Sequence, residues 1–541
     1  MKQFGFDFRF TFVLFIFLVF SNLGKAQTTY TWIGGNGSWA TAANWSPTRS
    51  VLAATDILQF NDGGTYTVTA LPATQTIRQL FITNGSNITL QGAAASTITI
   101  TGLASTTNFV ISNGSSLSNT IANIVSITIS SNTQFSDISG TLNWNAGTIN
   151  FQAGGANVAT VSSTGIVNHF GGTITGALLR LVFDNGSNYF NKGTTTIPTL
   201  PTATWQTNST VNFLDITTAA AVAGISGQSF GNFIYNCPSQ TAAAVSFQIT
   251  AATTFKGNFT LLNTGGLTRS INFKNGTTAA TININGNFII SNGTVNANVG
   301  GTAALTLNLN ANYNQSGGTF VLTTAAIACN LNLIGDLNLS GGNFDLGTQN
   351  VASTINFDGN YNQTGGTFQR SFVGVTVPLV NFRGNGKTFY YDATNATMDN
   401  TYINYQINFA NASLTLLSDF TVPTLRAFTI TNGTLFCQNK LILGAGTFTL
   451  TSAAVATLGV GSQNGIQTSG ALGNIQTTVR NYGVLSNYIY NGTNGQITGN
   501  ALPVTCTGYI LIDLQNNGDQ ITFTNTAFSG NGVNLRMRNG A

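Results

Sequence analysis

The chain is 541 residues long, more than one compact core usually holds, so either several domains or one repeat array is expected. Charged residues are only 6% of it, all 14 acids are Asp, and 61 Gly accompany abundant Asn, Thr and Ser; this composition excludes a mainly helical protein. The net charge of +4 supplies nothing to neutralise a run of phosphates, which argues against a nucleic-acid partner and against a polybasic membrane patch.

The opening "MKQFGFDFRFTFVLFIFLVFSNLGKAQ" places Lys2 and Arg9 before an apolar run from Phe12 to Phe20, with Gly24 and Ala26 at cleavage spacing. The pattern predicts a secretory signal peptide over 1–26 and export of the rest. The apolar run is short for a bilayer anchor, and no later stretch reads as a span, so no membrane span remains after cleavage. Removing Lys2, Arg9, Lys25 and Asp7 leaves 15 basic and 13 acidic residues.

Next comes "TYTWIGGNGSWATAANWSP", with Trp32, Trp39 and Trp45, three of the five tryptophans in the chain. An open solenoid end exposes apolar surface and unpaired strand edges, so residues 27–70 are expected to form an aromatic N-terminal cap. The competing use of the three rings is stacking on sugars. Asn-Gly turns between apolar runs follow in "ITNGSNITL" from Ile82 and "ISNGSSL" from Ile111. His169, the single histidine, lies in "IVNHFGG" and is expected near a coil corner.

The clearest repeats occupy 253–370, within solenoid repeats expected over 71–541. Copies open at Asn258, Asn287, Asn312, Asp336 and Asn360, at intervals of 29, 25, 24 and 24 residues. Aligned on these positions, apolar columns appear: Ile282, Leu307, Leu331 and Ile355; Ile284, Leu309, Leu333 and Phe357; Phe288, Tyr313, Leu337 and Tyr361. Steps of two predict strands with one buried face. Between the first two columns stand Asn283, Asn308, Asn332 and Asn356, whose stacked amides can hydrogen-bond from coil to coil. Ser-Gly-Gly or Thr-Gly-Gly then turns the chain, and Val295, Phe320, Phe344 and Phe368 return inward. One repeat cannot cover its own apolar face, so like must stack on like. The spacing predicts an all-β parallel β-helix, a β-solenoid of ~20 coils; the alternative is a string of tandem β-sandwich domains, because Asn-Gly is also a hairpin signal. Cys237, Cys329, Cys437 and Cys506 stand about 70 to 110 positions apart, beyond disulfide reach in a solenoid, and are expected as free thiols.

The most varied chemistry lies in "FRGNGKTFYYDATNATMD". Arg383, Lys387, Tyr390, Tyr391 and Asp392 could grip an acidic glycan, the rings stacking and Arg383 or Lys387 pairing with a carboxylate. The structural alternative is a solvated loop leaving the coils. No two Asp residues are adjacent or one apart, no spacing suits a metal, and no cofactor is implied; catalytic residues are none. Residues on different coils can come together in a site, so a polysaccharide lyase or hydrolase is the alternative function.

"TWIGGNGSWATAANWSP", Asp56 and Phe60 in "DILQFND", "LSDFTV", "FTITNGTL" and "GNYNQTGGTF" together resemble large secreted surface proteins of Bacteroidota-type bacteria and similar autotransporter-like β-helix proteins. The resemblance covers most of the chain after residue 26. It implies a right-handed parallel β-helix exposed at the cell surface, and no particular reaction. Such proteins usually carry a C-terminal sorting domain or barrel, whereas "GVNLRMRNGA" stops within a repeat, so the C-terminus is expected to be incomplete. The combined expectation is a secreted, non-catalytic surface adhesin or stalk whose partners are glycans or other surface polymers; a purely structural passenger segment is the third reading.

Overall fold

Apolar side chains at every second position make each short segment a strand with one greasy face, and that face can be covered only by the neighbouring turns of the same chain. In the computed structural model, which describes residues 27–130, 135–151, 157–493, 495–516, 518–525 and 534–538, nearly all regular structure is therefore β; a three-residue 3-10 turn at Ala42–Asn44 is the one helical element among the described residues. Residues 1–26, the segment expected to be a signal peptide, lie outside them. The described residues form two compact units, one drawn from 27–166 and 172–181, the other from 167–171 and 182–538.

In the first unit each coil contributes three strands. Ile57–Phe60, Gln79–Ile82, Thr107–Ile111, Phe135–Ile138 and Val158–Val161 stack in parallel. Thr65–Leu71, Asn87–Gly92, Ser116–Asn119 and Thr141–Trp144 make a second wall, and Thr74–Ile77, Ser96–Ile100, Val125–Ile129, Thr148–Asn150 and Thr173–Thr175 a third. The strands Ile57–Phe60 and Thr65–Leu71 thus already belong to stacked coils. The covering itself is made by the preceding residues: Thr29–Trp32 pairs antiparallel with Trp45–Ser46, the one antiparallel pairing among the described residues.

The three cap tryptophans are buried, which excludes them as exposed sugar platforms. Trp45 meets Trp32 and Trp39 edge to face, with ring centroids 4.9 and 5.3 Å apart. Each indole N–H donates inside the cap: Trp32 to the Gly35 carbonyl, Trp39 to Gln75 Oε1, Trp45 to the Trp39 carbonyl. Arg49 is buried against the Trp39 and Trp45 rings, and its Nε donates to Asp56 Oδ2 at 2.8 Å. Burial pulls the Arg49 pKa below its usual value, and the neighbouring Asp56 works against that shift.

In the second unit the columns read from sequence are in register. Ile282, Leu307, Leu331 and Ile355 pair coil to coil, as do Phe288, Tyr313, Leu337 and Tyr361, and Val295, Phe320, Phe344 and Phe368; all are buried. Parallel pairing of this kind is incompatible with sandwich hairpins, and the fold is a β-solenoid. The amide column is a ladder: Nδ2 of Asn308, Asn332, Asn356 and Asn381 each donates to Oδ1 of the Asn one coil before, at 2.7 to 2.8 Å. A second line runs at the repeat-opening residues, where each backbone N–H from Asn258 to Asn360 donates to the side-chain oxygen of the previous coil. Asp336 fits this line because a carboxylate accepts as an amide oxygen does. The double-glycine turns are needed twice over at Gly342: its φ is +79°, and a Cβ there would sit 2.4 Å from the Gly318 carbonyl oxygen one coil away.

The four cysteines are buried free thiols, as the coil spacing requires. His169 closes the strand Ile166–His169 and is fully buried, its Nδ1 2.7 Å from the Tyr189 hydroxyl. It is a core residue at the end of its strand, next to the turn that follows and so near a coil corner; the alternation Val167, His169 turns it inward.

Candidate functional site

The stretch from Arg383 to Asp399 does not leave the coils. Its strands Leu379–Phe382, Lys387–Tyr391 and Ala396–Met398 pair in parallel with the coil before, continuing all three walls. The residues singled out for ligand contact are accordingly distributed by strand geometry. Within Lys387–Tyr391, Phe389 points into the core, Tyr390 is exposed, and Lys387 and Tyr391 are half-buried. Neighbours on a strand face opposite ways, so Tyr390 and Tyr391 cannot present their rings together.

Several of these groups already have partners. Arg383 Nε and Nη2 reach Asp358 Oδ1 and Oδ2, both at 2.8 Å, in a bidentate pair across adjacent coils. The same guanidinium lies 5.6 Å from the centroid of the Phe409 ring. The Tyr391 hydroxyl donates to the Ala396 carbonyl. Asp392 accepts from the Thr394 N–H and from Asn395 Nδ2, which fixes the turn and holds its carboxyl below the usual range. Asp399 similarly accepts from the Thr401 N–H. The cluster is thus largely committed to building its own coil.

What the sequence reading missed lies beside it. In the strand Asn404–Leu416, Asn408 pairs with Asn432 and Ser413 with Thr434, so five steps of one strand face two of the next. The surplus bulges outward: Asn408, Phe409, Ala410 and Asn411 are exposed, and Asn411 adopts φ +65°. Two neighbours pin the bulge. Arg383 covers Phe409, and Ser413 Oγ donates to Asn385 Oδ1 at 2.8 Å while accepting the Gly386 N–H. Gly433, at φ +113°, allows the next strand to close against it, since a Cβ there would lie 2.7 Å from the Ala412 carbonyl oxygen.

Between the bulge and the following coils lies a groove of about 570 Å³, lined by Asn385, Asn411, Ser413, Asn432, Thr434 and Phe436, with Ala410, Ala412, Gly433 and Val455 between them. Its polar groups are amides and hydroxyls, and none of the lining residues is charged. Phe436 is half-buried on the outward side of its strand, offering an aromatic face next to those groups. Among the described residues no group of three or more His, Cys or Asp is placed to hold a metal ion. The one signal available in sequence was the run from Asn408 to Ala412 within "INYQINFANASLTL", which breaks the alternation of buried and exposed positions.

Fold and groove together define a parallel β-solenoid with an uncharged lateral cleft. No protein-family model matches the chain, and neither a curated protein nor a solved structure shows significant similarity to it.

Proposed function

We propose that this protein is a secreted, non-catalytic β-solenoid of the cell surface, an adhesin or stalk that contacts neutral glycans along its flank. The observation that carries the reading is the groove at the 408–411 bulge. Hydroxyl-rich sugar rings need amide and hydroxyl partners around their rim and an apolar surface for their C–H face, and Asn385, Asn432 and Thr434 beside Phe436 supply both. An acidic glycan would ask for cations instead, and Arg383, which lies over the bulge residue Phe409, is occupied by Asp358. Export rests on the pattern of residues 1–26, and placement at the cell surface on the resemblance of the "TWIGGNGSWATAANWSP" opening. Stacked coils suit such a role because length comes from repetition and weak lateral contacts add up along it.

The test is retention of purified residues 27–541 on immobilised neutral and acidic polysaccharides, with soluble products measured in the same tubes. Retention on a neutral polymer that survives added salt and is lost in Phe436→Ala supports the reading. Salt-sensitive retention on acidic polymers alone would refute the groove. Release of shorter products above a heat-treated control would refute the non-catalytic role and favour a polysaccharide lyase or hydrolase.

A further inference from the structure

The third wall of the first unit has an outward face unlike any in the second. Register places Thr74, Thr97, Ser126, Thr148 and Thr173 in one column, and Thr76, Thr99, Thr128, Asn150 and Thr175 in a parallel column two residues further along each strand. The residue between the two columns points inward on every strand: Gln75, Ile98, Ile127, Ile149 and Ile174 are buried. The outward positions are half-buried or exposed, and none is charged. No register shift interrupts these four pairings, and the positions line up in two columns; Ser126 and Thr148 lie just outside the residues that pair between their two strands, where the Thr148 N–H donates to Ser126 Oγ at 3.1 Å.

In the amide columns of the second unit, each side chain spends its hydrogen bonds on the coil before and the coil after. None of the eight threonine hydroxyls in the two columns has a protein partner; they are left to solvent. Threonine is also β-branched, so χ1 is restricted and each hydroxyl and methyl is held in place by the strand itself. The spacing is set by the sheet: about 4.8 Å from coil to coil and roughly 6.7 Å between the columns. A fixed, uncharged net of hydroxyls and methyls at those two repeats is close to the oxygen spacings on the faces of hexagonal ice. Water ordered on such a net already has a place in the crystal, and the ordering cost is met during folding.

We propose that this threonine face is an ice-binding surface. It is independent of the groove and of glycan contact, since the two lie in different units. A rival lattice with similar chemistry, crystalline polysaccharide, is less well matched because the face has no aromatic ring for sugar C–H groups. The neutral face also suits a neutral solid: a charged side chain in either column would hold its own hydration shell against the crystal.

The experiment grows polycrystalline ice slowly in a solution of the labelled chain 27–541, measures the protein in the ice and in the remaining liquid, and follows coarsening of fine-grained ice. The chain is expected to concentrate in the ice and slow the coarsening. The double variant Thr99→Lys with Thr128→Lys, at outward positions in the centre of the net, should fall to the level of a non-binding control protein. Thr89→Lys, outward on the adjoining wall, should retain the wild-type partition; melting curves establish that both variants are folded. If the lysine pair does not fold, Thr99→Ser with Thr128→Ser, which keeps the hydroxyls and removes the methyls, should reduce the partition. Exclusion of the wild-type chain from ice would overturn the proposal. So would equal loss in Thr89→Lys, or retention on suspended crystalline cellulose or chitin through Thr99 and Thr128 without partition into ice.

Discussion

Replacing Asp56 by Ala tests the reading of the N-terminal cap most sharply. Arg49 and Asp56 side chains are 0% and 4% exposed, and the Arg49 Nη atoms have no hydrogen-bond partner, so the carboxylate is the main group offsetting a buried charge. Asp56 Oδ2 also accepts the Ala53 N–H, which would be orphaned as well. Breaking a buried ion pair from one side costs about 3–5 kcal/mol. In a solenoid each coil is stabilised by its neighbours, so the loss should fall on the first coils and leave the rest standing. Indole fluorescence reports mainly on that end, since Trp32, Trp39 and Trp45 lie in the cap. In urea, the fluorescence transition of Asp56→Ala should move to lower denaturant by on the order of 2 M while the far-ultraviolet circular dichroism transition moves little. The double variant Arg49→Met with Asp56→Leu removes both charges and keeps apolar volume beside the rings, so it should recover most of the loss. An unshifted fluorescence transition in Asp56→Ala, or a double variant as weak as the single one, would refute the argument.

Gly359→Ala should destabilise more than Gly85→Ala: a Cβ at Gly359 would lie 2.0 Å from the Gly335 carbonyl oxygen, whereas Gly85, at φ +78°, has open space and costs only about 1 kcal/mol of backbone strain; paired melting curves decide it. Asn332→Ala cuts two rungs of the amide ladder, but the neighbouring amides are half-exposed and water replaces much of what is lost, so a drop near 1 kcal/mol is expected, and a drop several times larger would show that the ladder is cooperative. Thiol-specific reagent should find no fast-reacting cysteine in the folded chain at neutral pH and four after denaturation. The Cys237 thiol is pushed up to about 11 by burial, and buried phenols such as Tyr235 are raised as well. These acids stay neutral in the folded chain where the unfolded chain ionises. Stability is therefore full below about pH 9, the ordinary thiol value, and is lost as pH rises from there through about 11; a melting temperature unchanged over that range would contradict the assignment.

The repeats at Asn287, Asn312, Asp336 and Asn360 were legible because each coil must present to its neighbour the same apolar side chain, the same amide and the same glycine turn. Stacking chemistry is thereby written as a period of 24 residues, and the register of Leu307 on Leu331, or of Asn308 on Asn332, follows from spacing alone. The cap was legible for a similar reason, since three tryptophans at one end of a repeat array have little other use. The array of Thr97, Ser126, Thr148 and Thr173 was harder to see. Its intervals of 29, 22 and 25 residues hide the columns until strand pairing aligns them.

Charge commitment and surface shape were decided by the tertiary structure. Arg383 and Asp392 read as available chemistry in one dimension, but Asp358 lies 25 positions before Arg383 in sequence and directly beside it on the preceding coil. The groove arises where the chain departs from its own period, where five steps from Asn408 to Ser413 face two from Asn432 to Thr434. A period states where coils agree; it carries no information about how an irregular segment folds outward or which neighbours then hold it. The sequence by itself determined the stacking, because like must cover like. Which polar groups remain free for another molecule was settled only by three-dimensional adjacency, because a hydrogen bond or ion pair between coils consumes groups far apart along the chain.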